Sequence, residues 1–288
     1  MNREPLQVRG RVLSLDRLGD YHHLTLVAAG VAARTRPGAF VALAVGGDSS
    51  AMLLRRAFSV YRARSSGVYG DTIEVIFAVH GSGTAWLADR RTSDEIDVVG
   101  PLGRPFALPT EPVPCVLVGG GYGSAPLFAL ADRLRERGCP VHMVLGGATE
   151  RRLFGVLDAR RSVQTVSVTT EDGSAGTTGR VSDVLPDVLA DTGAAVVYAC
   201  GPMGMLRAVS LLAEERGVWS QCAVEESMAC GVGVCMTCVL PVRGDDGQVR
   251  MVRSCVEGPV FRGERVLWDA VGTVPAGTVG APRGGPRR

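Results

Sequence analysis

The stretch Pro114–Gly138, PCVLVGGGYGSAPLFALADRLRERG, decides the fold of the middle of this 288-residue chain. It opens with an apolar, β-rich run, passes through a glycine-rich turn and continues as a helical pattern that ends at Gly138. A strand, a glycine loop and a helix in this order are typical of sites where N–H groups at a helix N-terminus bind a pyrophosphate. A glycine loop alone also makes plain turns, so the neighbouring segments have to support this interpretation. The candidate nucleotide-binding residues are Gly119, Gly120, Gly121 and Gly123.

The segments that follow this loop alternate between strand-like and helix-like patterns as far as residue 217. Such alternation predicts a doubly wound parallel α/β domain over residues 109–217, with ligands bound at the carboxyl ends of its strands. Cys200, Gly201 and Pro202 follow one such strand end. They form either a plain strand terminus and turn, or a catalytic position that brings the Cys200 thiol beside a nicotinamide.

Residues 1–108 have a different pattern, made of short β-like runs separated by Gly and Asp turns. This pattern predicts an antiparallel barrel or a sandwich. Only the segment GSGTAWLADRR, residues 81–91, has a helical period, and Ser82 and Thr84 are its candidate caps. Arg56 and the turn that opens this helix are each able to hold a phosphate, although each alone is more often a surface charge or a plain cap.

Four cysteines near the C-terminus follow the spacing C-x4-C-x2-C-x16-C. A structural zinc site would more typically show two C-x2-C pairs, whereas this spacing matches the plant-type ferredoxin loop that holds a [2Fe-2S] cluster. Gly231 and Gly233 lie between the ligands and let the backbone fold tightly around the cluster. We therefore predict a cluster domain at residues 218–270. Its candidate metal ligands are Cys230, Cys235, Cys238 and Cys255.

The remaining composition excludes several classes of function. The formal net charge of +2 is spread along the chain without a block of one sign, apart from an Arg-rich end, so nucleic acid is not an expected partner. The chain contains neither the apolar core of a signal peptide nor an apolar run of about 18 residues, so we expect a cytoplasmic protein without a membrane partner. Residues 271–288 are rich in Gly and Pro and are predicted to be disordered. The four histidines show no ligand spacing, and Cys115, Cys139 and Cys222 are interpreted as small buried hydrophobes.

Taken in order, these segments resemble the ferredoxin-NADP reductase superfamily, and within it the electron-transfer subunits of NAD-dependent (class B) dihydroorotate dehydrogenases. The resemblance covers about residues 5 to 268. It rests on the segments LLRRAFSV, GSGTAWL, GPLGRPF, VGGGYGSAPL, TEDGSAGTTGRVSDVL, YACGPMGML and EESMACGVGVCMTC.

The resemblance implies a flavin barrel at residues 1–108. In that barrel Arg56 would pair with the FAD pyrophosphate, Ser59 would bond the edge of the flavin ring, and Gly83 and Thr84 would hold the phosphate. The chain departs from the family pattern at two positions, since many relatives have Pro at the place of Ala57 and Tyr at the place of Phe58. The full set of expected flavin-site residues is Arg56, Ala57, Phe58, Ser59, Gly81, Gly83 and Thr84.

The choice of nicotinamide cofactor depends on the segment TTEDG, which falls where NADP-dependent relatives hold the 2′-phosphate. Glu171 and Asp172 would repel a phosphate and accept hydrogen bonds from a ribose diol, so NAD is favoured over NADP. Arg151 and Arg152 argue weakly for NADP.

The function implied by the resemblance is electron transfer from an FMN-containing catalytic subunit, through the [2Fe-2S] cluster and FAD, to NAD+ in pyrimidine biosynthesis. The implied assembly is a heterotetramer with two copies of each subunit, and no dihydroorotate site is expected in this chain. Two alternatives stay open. One is the flavin and iron-sulfur subunit of a hydrogenase, a sulfide dehydrogenase or a bifurcating transhydrogenase. The other is a zinc-stabilised nucleotide sensor without turnover.

Overall fold

A computed structural model describes residues 4–47 and 50–281 of the chain. Within these residues no helix is long and apolar enough to cross a bilayer. The strands are β1 Leu6–Leu18, β2 Tyr21–Val27, β3 Phe40–Leu43, β4 Arg56–Gly67, β5 Gly70–Phe77, β6 Glu95–Leu102, β7 Cys115–Gly120, β8 Val141–Gly147, β9 Thr165–Thr170, β10 Thr177–Thr178, β11 Val196–Cys200, β12 Trp219–Ala223, β13 Val239–Arg243, β14 Val249–Arg253 and β15 Val260–Arg262. The α-helices are α1 Ser82–Ala88, α2 Ala125–Glu136, α3 Val156–Ser162, α4 Val181–Thr192 and α5 Met203–Glu215.

The N-terminal strands close into a six-stranded antiparallel barrel in the order β1-β2-β5-β4-β3-β6. The period-two pattern of the sequence explains this packing, because every second residue of β6 from Ile96 onwards is buried. Those side chains pack with Val12, Leu24 and Phe77 in one core. Of the two predicted architectures, barrel and sandwich, the chain adopts the barrel.

The middle of the chain forms a seven-stranded sheet in the order β10-β9-β8-β7-β11-β12-β15. All neighbours pair in parallel except β12 and β15. One face packs against α2 and α3, and the other packs against α4 and α5. This arrangement confirms the doubly wound α/β prediction, and it brings the carboxyl ends of β7 and β11 together facing the barrel.

The cysteine-rich segment lies between β12 and β15 in the sequence and contains the β13–β14 hairpin. Its core continues that of the barrel, because the buried Cys238 and Cys255 pack with Phe40, Ala42 and Leu102. β12 was included in the predicted cluster domain, but it is a strand of the large sheet and pairs with β11 along its whole length. The other predicted domain boundaries remain predictions.

The segment that follows the cluster domain is described only as far as residue 281. Although the sequence predicts disorder from residue 271, residues 271–281 form turns, and the Val279 N–H donates to the Val249 carbonyl at 2.9 Å. The rest of the predicted disordered tail lies outside the described residues.

Candidate functional site

Three connected cavities lie between the barrel, the α/β sheet and the cysteine-rich segment. The ring cavity, of about 310 Å³, is bounded by Ala57–Ser59 of β4 and by residues 224–228. The phosphate cavity, of about 550 Å³, is bounded by residues 54–58 and the start of α1. The nucleotide cavity, of about 510 Å³, lies over the glycine loop and the carboxyl ends of the parallel strands. Tyr122 lines all three, so they are parts of one continuous cleft.

The phosphate cavity brings Arg56 and Gly83 together. A Cβ atom placed on Gly83 would lie 2.8 Å from Arg56 Nε, so the guanidinium lies directly over the backbone of this glycine. The Thr84 hydroxyl accepts the N–H groups of His80 and Gly81 at 2.9 and 3.2 Å, which fixes the turn that opens α1. The Arg56 Nη1 donates to the Leu54 carbonyl at 2.6 Å, which holds the guanidinium at this wall. The cradle fits a pyrophosphate, because a guanidinium and a closely approached backbone meet there.

The ring cavity has one wall from the barrel and one from the segment after β12. Ala57, Phe58 and Ser59 form the first wall, where Phe58 is held by a tilted contact with Phe77 at 5.6 Å between ring centroids. Residues 224–228 and Pro259 form the second wall. The cavity between these walls combines apolar surface from Phe58 and Pro259 with polar groups such as Ser59, and this combination fits a ring system such as that of a flavin.

The predicted glycines of the nucleotide cavity have two different uses. Gly120, Gly121 and Gly123 line the cavity together with Pro202. Gly119 instead packs under the helix, since an added Cβ would lie 2.4 Å from Ser124 Cβ. Gly123 and Gly201 touch backbone to backbone, because a Cβ on Gly123 would lie 2.7 Å from the Gly201 Cα. This approach joins the glycine loop to the end of β11.

Cys200 lies at the carboxyl end of β11 but does not line any of the three cavities. Its side chain is 2% exposed, and burial raises the pKa of its thiol well above the usual value, with a smaller contribution from the nearby Glu225. Its predicted catalytic role stays a prediction.

Glu225 is the acidic side chain that lies where the ring cavity and the nucleotide cavity meet. It is exposed to the space inside the cleft, yet the protein around it desolvates the carboxyl and raises its pKa. The sequence alone does not indicate this residue, because one glutamate in EESMAC carries no spacing signal. Its position depends on how β12 ends beside the glycine loop.

At the distal end of the nucleotide cavity, only one of the two predicted acidic residues lines the cavity. Glu171 lines the cavity, and its carboxylate is 3.6 Å from the guanidinium of Arg180. Asp172 does not line it, and its carboxylate accepts the hydroxyl and the N–H of Ser174 at 2.6 and 3.0 Å. Of the two arginines, Arg152 lines the cavity and Arg151 forms an ion pair with Asp20 at 2.8 Å.

The four predicted cluster ligands form two pairs. Cys230 and Cys235 are within hydrogen-bonding reach of each other, and so are Cys238 and Cys255. Within residues 4–47 and 50–281, no three His, Cys, Asp or Glu side chains are grouped so that they could hold a single metal ion. A [2Fe-2S] cluster has two iron atoms that share four thiolates, so two thiol pairs fit its ligand requirement.

Backbone and hydroxyl donors surround these sulfur atoms. The N–H groups of Val232 and Val234 donate to Cys230 Sγ at 3.4 and 3.3 Å. Burial opposes ionisation of this thiol, but the backbone hydrogen bonds outweigh it and lower the pKa of Cys230. The Thr237 hydroxyl donates to Cys235 Sγ at 3.2 Å and lowers the pKa of Cys235 to about 6. Burial raises the pKa of Cys255 to about 12, an effect that a coordinated metal ion would reverse.

The shape of the loop that carries the first three cysteines explains its glycines. Gly231 and Gly233 have φ values of 74° and 83°, in the left-handed region that favours glycine. A Cβ on Gly233 would lie 2.5 Å from Val256, so this position also lacks the space for a side chain. The loop is thus shaped to direct its N–H groups toward sulfur.

Comparisons with known proteins match this arrangement segment by segment. Residues 225–267 match the family described as the iron-sulfur cluster binding domain of dihydroorotate dehydrogenase B. Residues 117–211 match the family described as the oxidoreductase NAD-binding domain. The first match covers all four predicted cluster ligands, and the second covers the glycine loop and the end of β11.

Similar proteins extend these matches over almost the whole chain. The dihydroorotate dehydrogenase B (NAD(+)) electron transfer subunit of Geobacillus kaustophilus is 37% identical over 270 residues, which cover 93% of this chain and 100% of the relative. The protein of the same name from Listeria innocua is 34% identical over 91% of this chain and 99% of its own length.

Solved structures give the same picture of the fold. A structure of an NADH-dependent reduced ferredoxin-NADP oxidoreductase that performs flavin-based electron bifurcation has a TM-score of 0.79 and 30% identity, and the match covers 92% of this chain and 91% of that one. A ferredoxin NADP+ reductase from Neisseria gonorrhoeae with bound FAD and NADP has a TM-score of 0.60 at 15% identity, over 74% of this chain and 92% of that one, and shows the fold alone.

Proposed function

The chain belongs to the family of dihydroorotate dehydrogenase B electron transfer subunits, and on that premise we propose that it accepts electrons from an FMN-containing catalytic subunit. It is an oxidoreductase subunit that delivers electrons to NAD+ in pyrimidine biosynthesis, and its cofactors are FAD, a [2Fe-2S] cluster and NAD. The assembly that we propose is a heterotetramer of two subunits of each kind. We also propose a cytoplasmic location, which the free state of all eight cysteines supports.

The observation that carries this proposal is the course of residues 225–238. Glu225 lies between the nucleotide and ring cavities, Met228 lines the ring and phosphate cavities, and Cys230 follows two residues later. Thr237, which bonds Cys235, lines the phosphate cavity again. One short segment therefore touches the candidate sites of all three cofactors, as a protein that joins hydride transfer to single-electron transfer requires.

When bound, the flavin supplies an exchange of hydride with nicotinamide and of single electrons with the cluster. The chain itself binds and positions these groups. Arg56 would neutralise the flavin pyrophosphate, and the contact between Gly123 and Gly201 keeps side chains out of the junction of the ring and nucleotide cavities. Tyr122 and Glu225 bound that place and reduce its access to water.

The surface near Cys235 supports docking of the catalytic subunit at the cluster. Cys235 is exposed, and so are five apolar side chains of the same region. Leu54 and Thr237 line one cavity, so the segment 53–54 adjoins the cluster loop. We call this set the docking patch; it consists of Leu53, Leu54, Val232, Val234 and Met236. Exposed apolar patches of this kind mark protein interfaces.

A second candidate function is the corresponding subunit of a bifurcating NADH-dependent ferredoxin-NADP oxidoreductase. The 30% identical solved structure, which extends over nearly the whole chain, favours it. The relatives with higher identity carry the dihydroorotate dehydrogenase name, which supports the first candidate. Purification from the native cell separates the two, because the first predicts a flavin-containing dihydroorotate-oxidising partner and the second a multi-cluster partner.

The central test uses the isolated chain and its Cys235→Ser variant. The isolated chain should oxidise NADH with ferricyanide and should not oxidise dihydroorotate. Addition of the catalytic subunit should produce NAD+-dependent dihydroorotate oxidation. The variant should lose that coupled activity, its visible cluster absorption and its reduced-state EPR signal, while keeping FAD and most of its NADH-ferricyanide activity.

Cys139→Ala is the matched control, because Cys139 is a buried free cysteine in the core of the α/β domain. It should keep both activities. Dihydroorotate oxidation by the isolated chain, or normal coupling by the Cys235→Ser variant, would overturn the proposal.

A further inference from the structure

The turn that carries the last predicted cluster ligand is closed by Arg253 and Glu257. The Glu257 N–H donates to the Arg253 carbonyl at 2.9 Å, and the Arg253 N–H donates to Glu257 Oε2 at 3.0 Å. The Arg253 guanidinium also donates to both carboxylate oxygens, from Nη2 at 2.7 Å and from Nε at 3.3 Å. Cys255 lies in the middle of this turn, so the pair fixes the path of the chain on both sides of its thiol.

The same guanidinium reaches the loop that carries the first three predicted ligands. Arg253 Nη1 donates to the Gly233 carbonyl at 3.0 Å. That carbonyl belongs to the peptide unit whose N–H is on Val234, and this N–H donates to Cys230 Sγ at 3.3 Å. In a trans peptide unit the C=O and N–H groups point in opposite directions. A cation that binds the oxygen therefore directs the hydrogen toward the sulfur atom.

Gly233 connects both of the predicted thiol pairs to this guanidinium. Burial raises the pKa of Cys255, and a hydrogen bond from the Gly233 N–H acts in the opposite direction. The charge of Arg253 also lies close to the thiols of the second pair, which add to its raised pKa after the larger effect of Glu257. Arg253 therefore acts on sulfur atoms of both pairs without being a predicted ligand itself.

We propose that Arg253 is a positioning residue that sets the reduction potential of the cluster. It orients the peptide unit between Gly233 and Val234 so that an N–H group faces Cys230, and it places one positive charge beside the thiols. Glu257 holds the guanidinium in place and partly neutralises it. This inference rests on the proposed function, because it takes the four cysteines to be the cluster ligands.

The direction of each effect follows from charge. Reduction of a [2Fe-2S] cluster adds one electron and thus one negative charge, so a nearby cation and N–H groups directed at sulfur stabilise the reduced form. Removal of the Arg253 charge should lower the reduction potential. Removal of the Glu257 charge should raise it, because the guanidinium is then no longer neutralised. A residue that only held the loop together would not give two shifts of opposite sign.

The test is a redox titration of the full chain with its flavin and cluster, in which dithionite supplies the electrons and EPR measures the reduced cluster. Arg253→Met should make reduction of the cluster about tenfold less favourable, the size of one charge-assisted contact, which is a fall of about 59 mV for one electron. Glu257→Gln keeps the shape of the side chain and an acceptor for the guanidinium, and it should shift the potential upward. Arg253→Lys keeps the charge without the fork geometry, so it should recover part of the potential.

The matched control is the pair of Arg250 and Asp246 in the same hairpin. Arg250 Nη2 lies 2.7 Å from Asp246 Oδ2, with the same spacing of four residues along the chain. This pair lies toward the turn between β13 and β14, at the opposite end of the hairpin from the cysteines. Arg250→Met and Asp246→Asn should leave the potential of the cluster unchanged. Iron content and visible absorption report how much cluster each variant holds.

Three outcomes contradict the inference: an unchanged potential in Arg253→Met, shifts of the same sign in Arg253→Met and Glu257→Gln, or an equal shift in Arg250→Met. Should Arg253→Met lose its cluster, the shift in Glu257→Gln decides, and a potential that is unchanged or lower in that variant overturns the inference. Failure of the proposed function is distinguishable, because these potentials are measured without the catalytic subunit. An unchanged chain that gives no reduced-cluster signal would overturn the cluster ligands themselves.

Discussion

At the residue scale, Glu225 combines an unfavourable environment with a central position. The protein around it raises the pKa of its carboxyl above the usual 4.5. Between that value and the raised pKa, the folded chain keeps a proton that the unfolded chain has lost, so stability falls as pH rises through this window. Glu225→Gln should therefore increase thermal stability relative to the unchanged protein, and the difference should grow from pH 5 to pH 8.

Melting curves of the purified protein over this pH range check the prediction, with NADH-ferricyanide activity measured in parallel. We expect the variant to gain stability and to lose activity, because the carboxylate lies where the ring cavity and the nucleotide cavity meet. A stability difference that is the same at pH 5 and pH 8 would show that the surroundings do not raise the pKa of the Glu225 carboxyl.

Arg56 gives a second prediction at this scale. A guanidinium-phosphate contact contributes about 1.5–3 kcal/mol, so Arg56→Ala should weaken FAD binding by about ten- to a hundredfold. Fluorescence titration of FAD into flavin-free protein measures this change. Arg56→Lys should recover only part of the affinity, since it keeps the charge and loses the fork geometry. Arg9→Ala, at an exposed barrel position paired with Glu95, should leave FAD affinity unchanged.

Sequence patterns predict site residues whose type and spacing suit the chemistry, such as the cysteines of C-x4-C-x2-C and the arginine of RAFS. They did not separate Glu171 from Asp172, because a one-residue step around a turn decides which carboxylate enters the cavity. Nor did they reveal Arg180, whose position depends on the entry into α4. To identify residues of this kind, the three-dimensional path of the chain must be known.

At the element scale, the glycine loop and the end of β11 depend on each other. Gly123→Ala would place a methyl group 2.7 Å from the Gly201 Cα and 3.1 Å from Glu225 Oε1, so the two loops must separate. Overpacking of this kind costs about 1–3 kcal/mol of stability. The variant should also raise the KM for NADH, because both loops line the nucleotide cavity.

Gly204→Ala is its matched control, since it lies in α5 and an added Cβ has no neighbour within 4 Å. Thermal melts should show this variant to be neutral or slightly more stable, because alanine favours a helix over glycine. A Gly123→Ala variant with the same melting temperature as Gly204→Ala would contradict the close approach.

Strand-loop-helix order was predictable because hydrophobic periodicity and glycines are local signals. The closure of the barrel was not, because the pairing of β1 with β6 joins residues about 90 positions apart. Residues 149–161 have a helical pattern in the sequence, but α3 begins only at Val156, since Gly155 adopts φ 73° just before it. Barrel closure is decided by contacts between distant segments, which local sequence patterns do not show.

At the scale of the whole molecule, the docking patch predicts how the two subunits associate. Val234 is 78% exposed beside the predicted cluster ligand Cys235, so Val234→Asp should place a charge in the proposed interface. We expect the affinity for the catalytic subunit to fall by about thirtyfold, as for a central interface residue worth about 2 kcal/mol. Val68→Asp is the control, because Val68 is 97% exposed and lies in the turn between β4 and β5.

Ultracentrifugation or surface plasmon resonance measures the association, and NADH-ferricyanide activity reports whether each variant keeps its cofactors. Equal binding by the Val234→Asp variant and the Val68→Asp control would remove the docking patch from the interface.

The pairing of β12 with β15 has a consequence for the synthesis of the chain. β15 covers the edge of β12, but the entire cysteine-rich segment is translated between them. While a ribosome is still making residues 224–259, β12 has an open edge, and open edges pair with other strands. Nascent chains that stop within this interval should therefore be captured by chaperones or aggregate. Synthesis of residues 255–262 delivers the last of the four predicted cluster ligands and β15 together, so the sheet and the set of thiols are completed within the same short stretch of chain.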